Sequence, residues 1–180
     1  MNRGNVFSDK GDNDRAIADY NKAIELDPKV GAAYVSRGAE YNDKGDNNRA
    51  IADFNNSIEI NPKYATAYYN RGVAYEAKGD NERAITDYTK AIELNPKYAK
   101  AYGNCAWAYF KAGKAALGLP DAEKSLELRP DHANTLDTRG HIFEALGRRE
   151  EAIADFRRAL AKNANIQGSK DGLKRLGATP

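Results

Sequence analysis

The sequence predicts an all-α protein built from a stack of antiparallel helix pairs, and three observations predict it. Pro28, Pro62, Pro96 and Pro130 recur every 34 residues, a period that belongs to repeat arrays rather than to one globular core. Between the prolines, large and small apolar residues recur at helical spacing. Tyr68, Gly72 and Tyr75 fall at i, i+4 and i+7, and Ala84, Tyr88 and Ala91 repeat that spacing after a break. The break itself is Lys78-Gly79-Asp80, where glycine supplies the left-handed residue that ends one helix and aspartate caps the next.

The cleanest copy spans 65–98. Its second helix runs to Leu94, and Asn95-Pro96 separates it from the following unit. One unit back, 31–64, the same positions are Tyr34, Gly38, Tyr41, Gly45, Ala50, Phe54, Ser57 and Pro62. The first copy, 1–30, is truncated at its start. Asn2-Arg3-Gly4 aligns with Asn70-Arg71-Gly72, so the chain is expected to begin inside a repeat, as a fragment of a longer array or with a shortened first helix. Apolar surface around Phe7, Ile17 and Tyr20 is therefore expected to be uncovered, which invites fraying or self-association.

The fourth copy, 99–132, is degenerate. Cys105 and Ala106 replace Arg and Gly, and Ala122 replaces the aromatic seen at Tyr88. Its second helix contains Gly118-Leu119-Pro120, and the lost proline donor predicts that the helix restarts or kinks near Pro120. Cys105 reads as a small buried hydrophobe. The fifth copy, 133–164, restores the pattern through Gly140, Phe143, Gly147, Ala152, Phe156 and Ala159. Residues 165–180 follow as a capping helix and tail: Ile166, Leu173 and Leu176 share one face, Gly168 and Gly172 weaken it, and Gly177 ends it.

These residues resemble the tetratricopeptide repeat family, over nearly all of 1–164. The resemblance implies a right-handed superhelical solenoid whose first helices line a concave groove, and a role in protein–protein recognition. Where the family commonly has Leu before the Gly, this chain has Arg3, Arg37, Arg71 and Arg139. Each second helix also carries an Asp: Asp19, Asp53, Asp87, Asp121 and Asp155. A ladder of Arg–Asp pairs between adjoining helices is expected, structural in role.

Composition excludes several functions. A hydrophobic content of 41% with 30% charged residues suits an α-protein with wide solvated faces, and a net charge of +2 gives no argument for nucleic acid or an acidic membrane surface. No apolar run reaches membrane-spanning length, and MNRGNVFSDKGD lacks a signal core, so no membrane insertion and a cytoplasmic location are the expectation unless a longer parent carries a signal. One cysteine permits no internal disulfide.

No catalytic, metal or cofactor constellation is read. Gly113-Lys114 lacks the other residues of a phosphate loop, and His132 and His141 have no second ligand at metal spacing. Asn55-Asn56-Ser57 matches a glycosylation sequon but falls on a predicted helix.

The candidate site comes from the stripe one residue past the core positions, roughly 100° around the helix axis. In the resembled family that stripe faces the groove. It names Val35, then Tyr69, Asn70 and Val73, then Lys100, Asn104, Trp107, Phe110 and Lys111, then His141. Trp107 and Tyr69 are expected as aromatic anchors, with Asn and Lys fixing a peptide backbone or an acidic group. The alternative for Trp107 and Phe110 is inter-repeat packing that compensates for the small residues of the fourth copy. Some family members clamp chaperone tail carboxylates, but only Asn70 and Lys100 match that pattern, which argues against such an adaptor. The sequence thus predicts a scaffold for a protein or peptide partner. The rival reading is a homo-oligomer assembled through the N-terminal repeat, and a further one is a non-catalytic segment of a larger protein.

Overall fold

The period fixes where helices start and stop. The computed structural model describes residues 2–179, with the side chain of Asn2 left aside, so what concerns Met1 and Pro180 lies outside the described residues. The described residues are helical throughout, joined by short turns, and form two compact units, residues 1–95 and 96–180.

The first unit holds α1 (Asn2–Asp9), α2 (Asn13–Leu26), α3 (Gly31–Asp43), α4 (Asn47–Ile60), α5 (Ala65–Ala77) and α6 (Asn81–Leu94). The turn between α5 and α6 shows why the pattern works. Gly79 takes a φ of 77°, and the Gly79 and Asp80 amides donate back to the carbonyls of Glu76 and Tyr75 at 2.8 and 2.9 Å. The Asp80 carboxylate then accepts from the Arg83 amide at 3.1 Å, capping α6. Arg83 bends back to Asp80 and lies over the Tyr75 ring, 4.4 Å from its centroid. Arg49 does the same with Asp46 and Tyr41.

Helix pairs close on a coupling of the smallest and largest side chains. A Cβ on Gly72 would stand 2.7 Å from the Tyr88 ring, and one on Gly38 would stand 2.7 Å from Phe54. Tyr88 and Phe54 are buried, with Ala50, Ala84 and Ala91 around them. Tyr20 plugs Gly4 in the same way and is only 2% exposed, donating its hydroxyl to Asn5 at 2.9 Å. The expectation that Tyr20 would be uncovered is therefore corrected, because the shortened α1 still reaches it. Phe7 and Ile17 are half-buried; Val6 and Leu26 are the large apolar side chains left exposed here, apart from Ile60.

The second unit holds α7 (Ala99–Lys111), α8 (Ala115–Leu128), α9 (Ala133–Ala145), α10 (Arg149–Lys162) and α11 (Gln167–Arg175). Helix α8 runs unbroken through Pro120, so the expected restart does not occur. Pro120 and Ala116, whose carbonyl loses its donor, are both exposed, so that carbonyl is open to solvent. In the α7–α8 pair the sizes are redistributed. Ala106 and Ala122 replace glycine and aromatic, and Gly118 stands where the other copies have alanine. A Cβ on Gly118 would meet the Ala106 carbonyl at 2.8 Å and Tyr109 at 3.0 Å.

Helix α11 lies on α10 and α9, with Leu173 buried against Phe156. The Phe156 ring fills the space beside Gly172, so that glycine admits a close approach.

Candidate functional site

The Arg–Asp ladder sets the backdrop. Arg37 donates through Nε and Nη2 to Asp53 at 2.8 and 2.6 Å, and Arg71 holds Asp87 the same way at 2.7 and 2.7 Å. Their third nitrogens reach back to Asn21 and Asn55, each at 2.6 Å. Arg139 repeats the bidentate grip on Asp155, and Arg3 pairs with Asp19. The guanidiniums of Arg37, Arg71 and Arg139 are consumed by buried carboxylates and are closed to a ligand, whereas Arg3 is exposed. The ladder fails at Asp121, where Cys105 stands in place of arginine. Burial pushes the Asp121 carboxyl up, and the hydrogen bond from Cys105 only partly offsets it.

In the first unit, Tyr69, Asn70 and Val73 lie together on α5, all half-buried. The Tyr69 ring leans on Tyr88 at 5.8 Å, which fixes its orientation. Val35 does not join them. It is 6% exposed and packed with Ala67, Ala74 and Phe54, so it belongs to the core and the expectation that it lines a groove is corrected. A short branched side chain facing alanines is swallowed, whereas the tyrosine at the same register one copy later cannot be.

In the second unit, Lys100, Asn104, Trp107 and Lys111 follow i, i+4, i+7 and i+11 along one face of α7. Lys100 and Lys111 are exposed, and Asn104, Trp107 and Phe110 are half-buried. Trp107 stacks on Phe110 at 5.3 Å, with the Lys111 ammonium 5.8 Å over its ring. His141 joins this cluster, 5.5 Å from Phe110 and 5.0 Å from Phe156. Trp107 thus packs on its neighbours and still reaches solvent.

His141 itself is buried at 9%, and this corrects its expected place on an open face. The cause is α11, which the stripe argument left out. Arg175 grips Glu144 at 2.8 and 2.6 Å and reaches the His141 Nδ1 at 3.3 Å, while Ser169 donates to Asp137 at 2.6 Å. The Arg175 pair holds the Glu144 carboxyl below its ordinary value. The only sequence signal for this clasp is a serine and an arginine on a short glycine-containing helix. No helix among the described residues is long and apolar enough to cross a membrane.

Models described as tetratricopeptide or TPR repeats match residues 1–30 and 65–98, 38–79, 87–118 and 133–164. A crystal structure of MamA is 30% identical, covering 91% of this chain and 96% of that one, with a TM-score of 0.80. YrrB, described as a TPR protein with an unusual peptide-binding site, is 22% identical over 97% of this chain and 90% of its own, at a TM-score of 0.78. The Cut9–Hcn1 hetero-tetramer contributes a chain 23% identical, matched over 96% of this one but 35% of its own length, at 0.86. No curated protein sequence matches. Repeat period, helix pairs and these matches agree that the chain belongs to the tetratricopeptide repeat family.

Proposed function

We propose that this chain is a protein-interaction scaffold that holds a peptide or partner segment against the exposed faces of its first helices. The observation that carries the reading is Trp107, half-buried on Phe110 and flanked along α7 by Lys100, Asn104 and Lys111. A rigid aromatic kept partly in solvent gives contact area at little entropic cost, and the lysines and asparagine supply charge and hydrogen bonds beside it. Tyr69, Asn70 and Val73 offer the same chemistry on α5 in the first unit. Similarity to a protein described as peptide-binding and to a subunit of a hetero-tetramer supports this class of function.

Because Trp107 is the only tryptophan, its fluorescence tests the reading directly. Soluble iodide should quench it, and a bound peptide should both shift the emission and protect it from quencher. Trp107→Ala should weaken that binding by about 2 kcal/mol, measured by titration calorimetry. An emission that ignores iodide and peptide alike defeats the proposal.

A second reading, self-assembly through the N-terminal repeat, draws on Val6 and Leu26, which are 49% and 76% exposed. It requires a mass that rises with concentration in light scattering.

A further inference from the structure

One carboxylate in the first unit stands at a register that the other copies give to apolar side chains. Glu40 on α3 has Val6, Ala74, Ala108 and Ile142 as its counterparts, and the last three are fully buried. Glu40 is itself only 4% exposed. Among the described residues, no hydrogen bond or ion pair holds its carboxylate. A buried charge left unpaired costs stability, and the neighbouring copies fold with alanine or isoleucine in its place. Packing therefore does not account for a glutamate here.

Glu40 lines a cleft of about 360 Å³ between α1 and α3. Asn5, Ser8 and Asp9 of α1, Tyr20 of α2 and Ser36 of α3 stand around the same cleft. The Tyr20 hydroxyl donates to Asn5 at 2.9 Å and lies beside the hydroxyls of Ser8 and Ser36. Burial pushes its pKa up and the Glu40 charge adds to the rise, with the two serines opposing it. The charge of Glu40 is thus felt at the cleft wall, which puts its carboxylate end on the cleft side. Asp9 is exposed and has no ion pair among the described residues, and no lysine or arginine lines the cleft.

We infer that this cleft binds the cationic side chain of a lysine or arginine carried by a segment of a partner protein. Complementarity selects that occupant. Two carboxylates lack a cation, and the Asn5, Ser8 and Ser36 oxygens can accept from further N–H donors. No group of three metal-ligating side chains forms among the described residues, so the acceptors suit an organic cation. An arriving ammonium or guanidinium supplies the partner that Glu40 lacks. The inference goes beyond the Trp107 reading, concerns the other unit, and stands or falls apart from it.

The test is an amide NMR titration of the full chain with short Gly/Ala peptides, blocked at both ends, that carry one Arg or one Lys. Their neutral counterparts carry citrulline or acetyl-lysine. At least one cationic peptide should give saturable shifts around Ser8, Tyr20, Ser36 and Glu40, with at least about tenfold higher affinity than its neutral counterpart. Which of the two does so identifies the side chain. Glu40→Gln keeps the shape and removes the charge. It should bind about tenfold more weakly, while its urea midpoint is no lower than that of the unaltered chain. Trp107→Ala should leave this binding within about twofold. Equal affinity for charged and neutral peptides, no saturable shift, or full binding by Glu40→Gln overturns the inference. A lowered urea midpoint in Glu40→Gln overturns it as well, because Glu40 then serves the fold. So does a dimer that Glu40→Gln dissolves, because the occupant is then a second copy of this chain.

Discussion

Gly72 has no side chain because Tyr88 fills the space one would need. Gly72→Ala should therefore force a shifted ring or backbone and destabilise the protein by about 1–3 kcal/mol, read from the urea midpoint at unchanged slope. The size pairing is what made this part of the fold legible. A glycine and an aromatic 16 positions on recur at Gly38 and Phe54, Gly72 and Tyr88, and Gly140 and Phe156, and only face-to-face packing explains that recurrence. The Arg–Asp ladder was legible for the same reason, as two opposite charges moving together along the period. Val35 was not. Its register matches that of Tyr69, and what buries it is the alanines it faces, Ala67 and Ala74, which a stripe drawn along one helix does not include. Asp121 was half legible. Its periodic position was plain, but the loss of its arginine to Cys105 leaves a carboxyl whose ionisation burial opposes.

At the scale of elements, α11 is joined to α9 by polar contacts from Ser169 and Arg175 as well as by the packing of Leu173. Arg175 lowers the Glu144 carboxyl, whose ordinary value is 4.5. A depressed carboxylate stabilises the folded state fully above its unfolded value, and that contribution is lost as pH falls through the lowered one. Amide exchange in α11, corrected for intrinsic rates, should thus show protection at neutral pH that fades on acidification below 4.5. Arg175→Ala should remove that pH dependence and cost about 1 kcal/mol at neutral pH, a modest figure because the arginine is half exposed. Unaltered protection in the variant would show that Leu173 and Gly172 hold the helix without help. The clasp also explains why His141 was misplaced by sequence reasoning. Its position in the period is that of Val73 and Trp107, and the period contains no information about the helix that follows the last copy.

Across the whole molecule, the regular copies and the irregular one divide the work. The first unit repeats its ladder, its aspartate caps and its Arg-over-Tyr contacts with little variation. In the last pair the Asp–Arg clasp survives with its charges exchanged, as Arg148 holds Glu151 and covers Phe143. Among the described residues, the α7–α8 pair is the one without an arginine at the ladder position or an Arg–carboxylate clasp at its turn, and it carries a helical proline besides. Candidate binding chemistry gathers where the repeat is least faithful, and aromatic contacts among Trp107, Phe110 and His141 stand there in place of the ladder and the clasp.

That leaves Cys105, the lone thiol, 1% exposed inside this least regular pair. In a stack whose stability is a sum over neighbours, one pair can open without the rest. A thiol reagent can reach the sulfur only in such an opening, so its reaction rate serves as a clock for how often α7 and α8 part. When reclosing outpaces modification, the ratio of observed to intrinsic rate gives the free energy of that event. It should be smaller than the global unfolding free energy from denaturant, and equality of the two would mean that the chain opens only all at once.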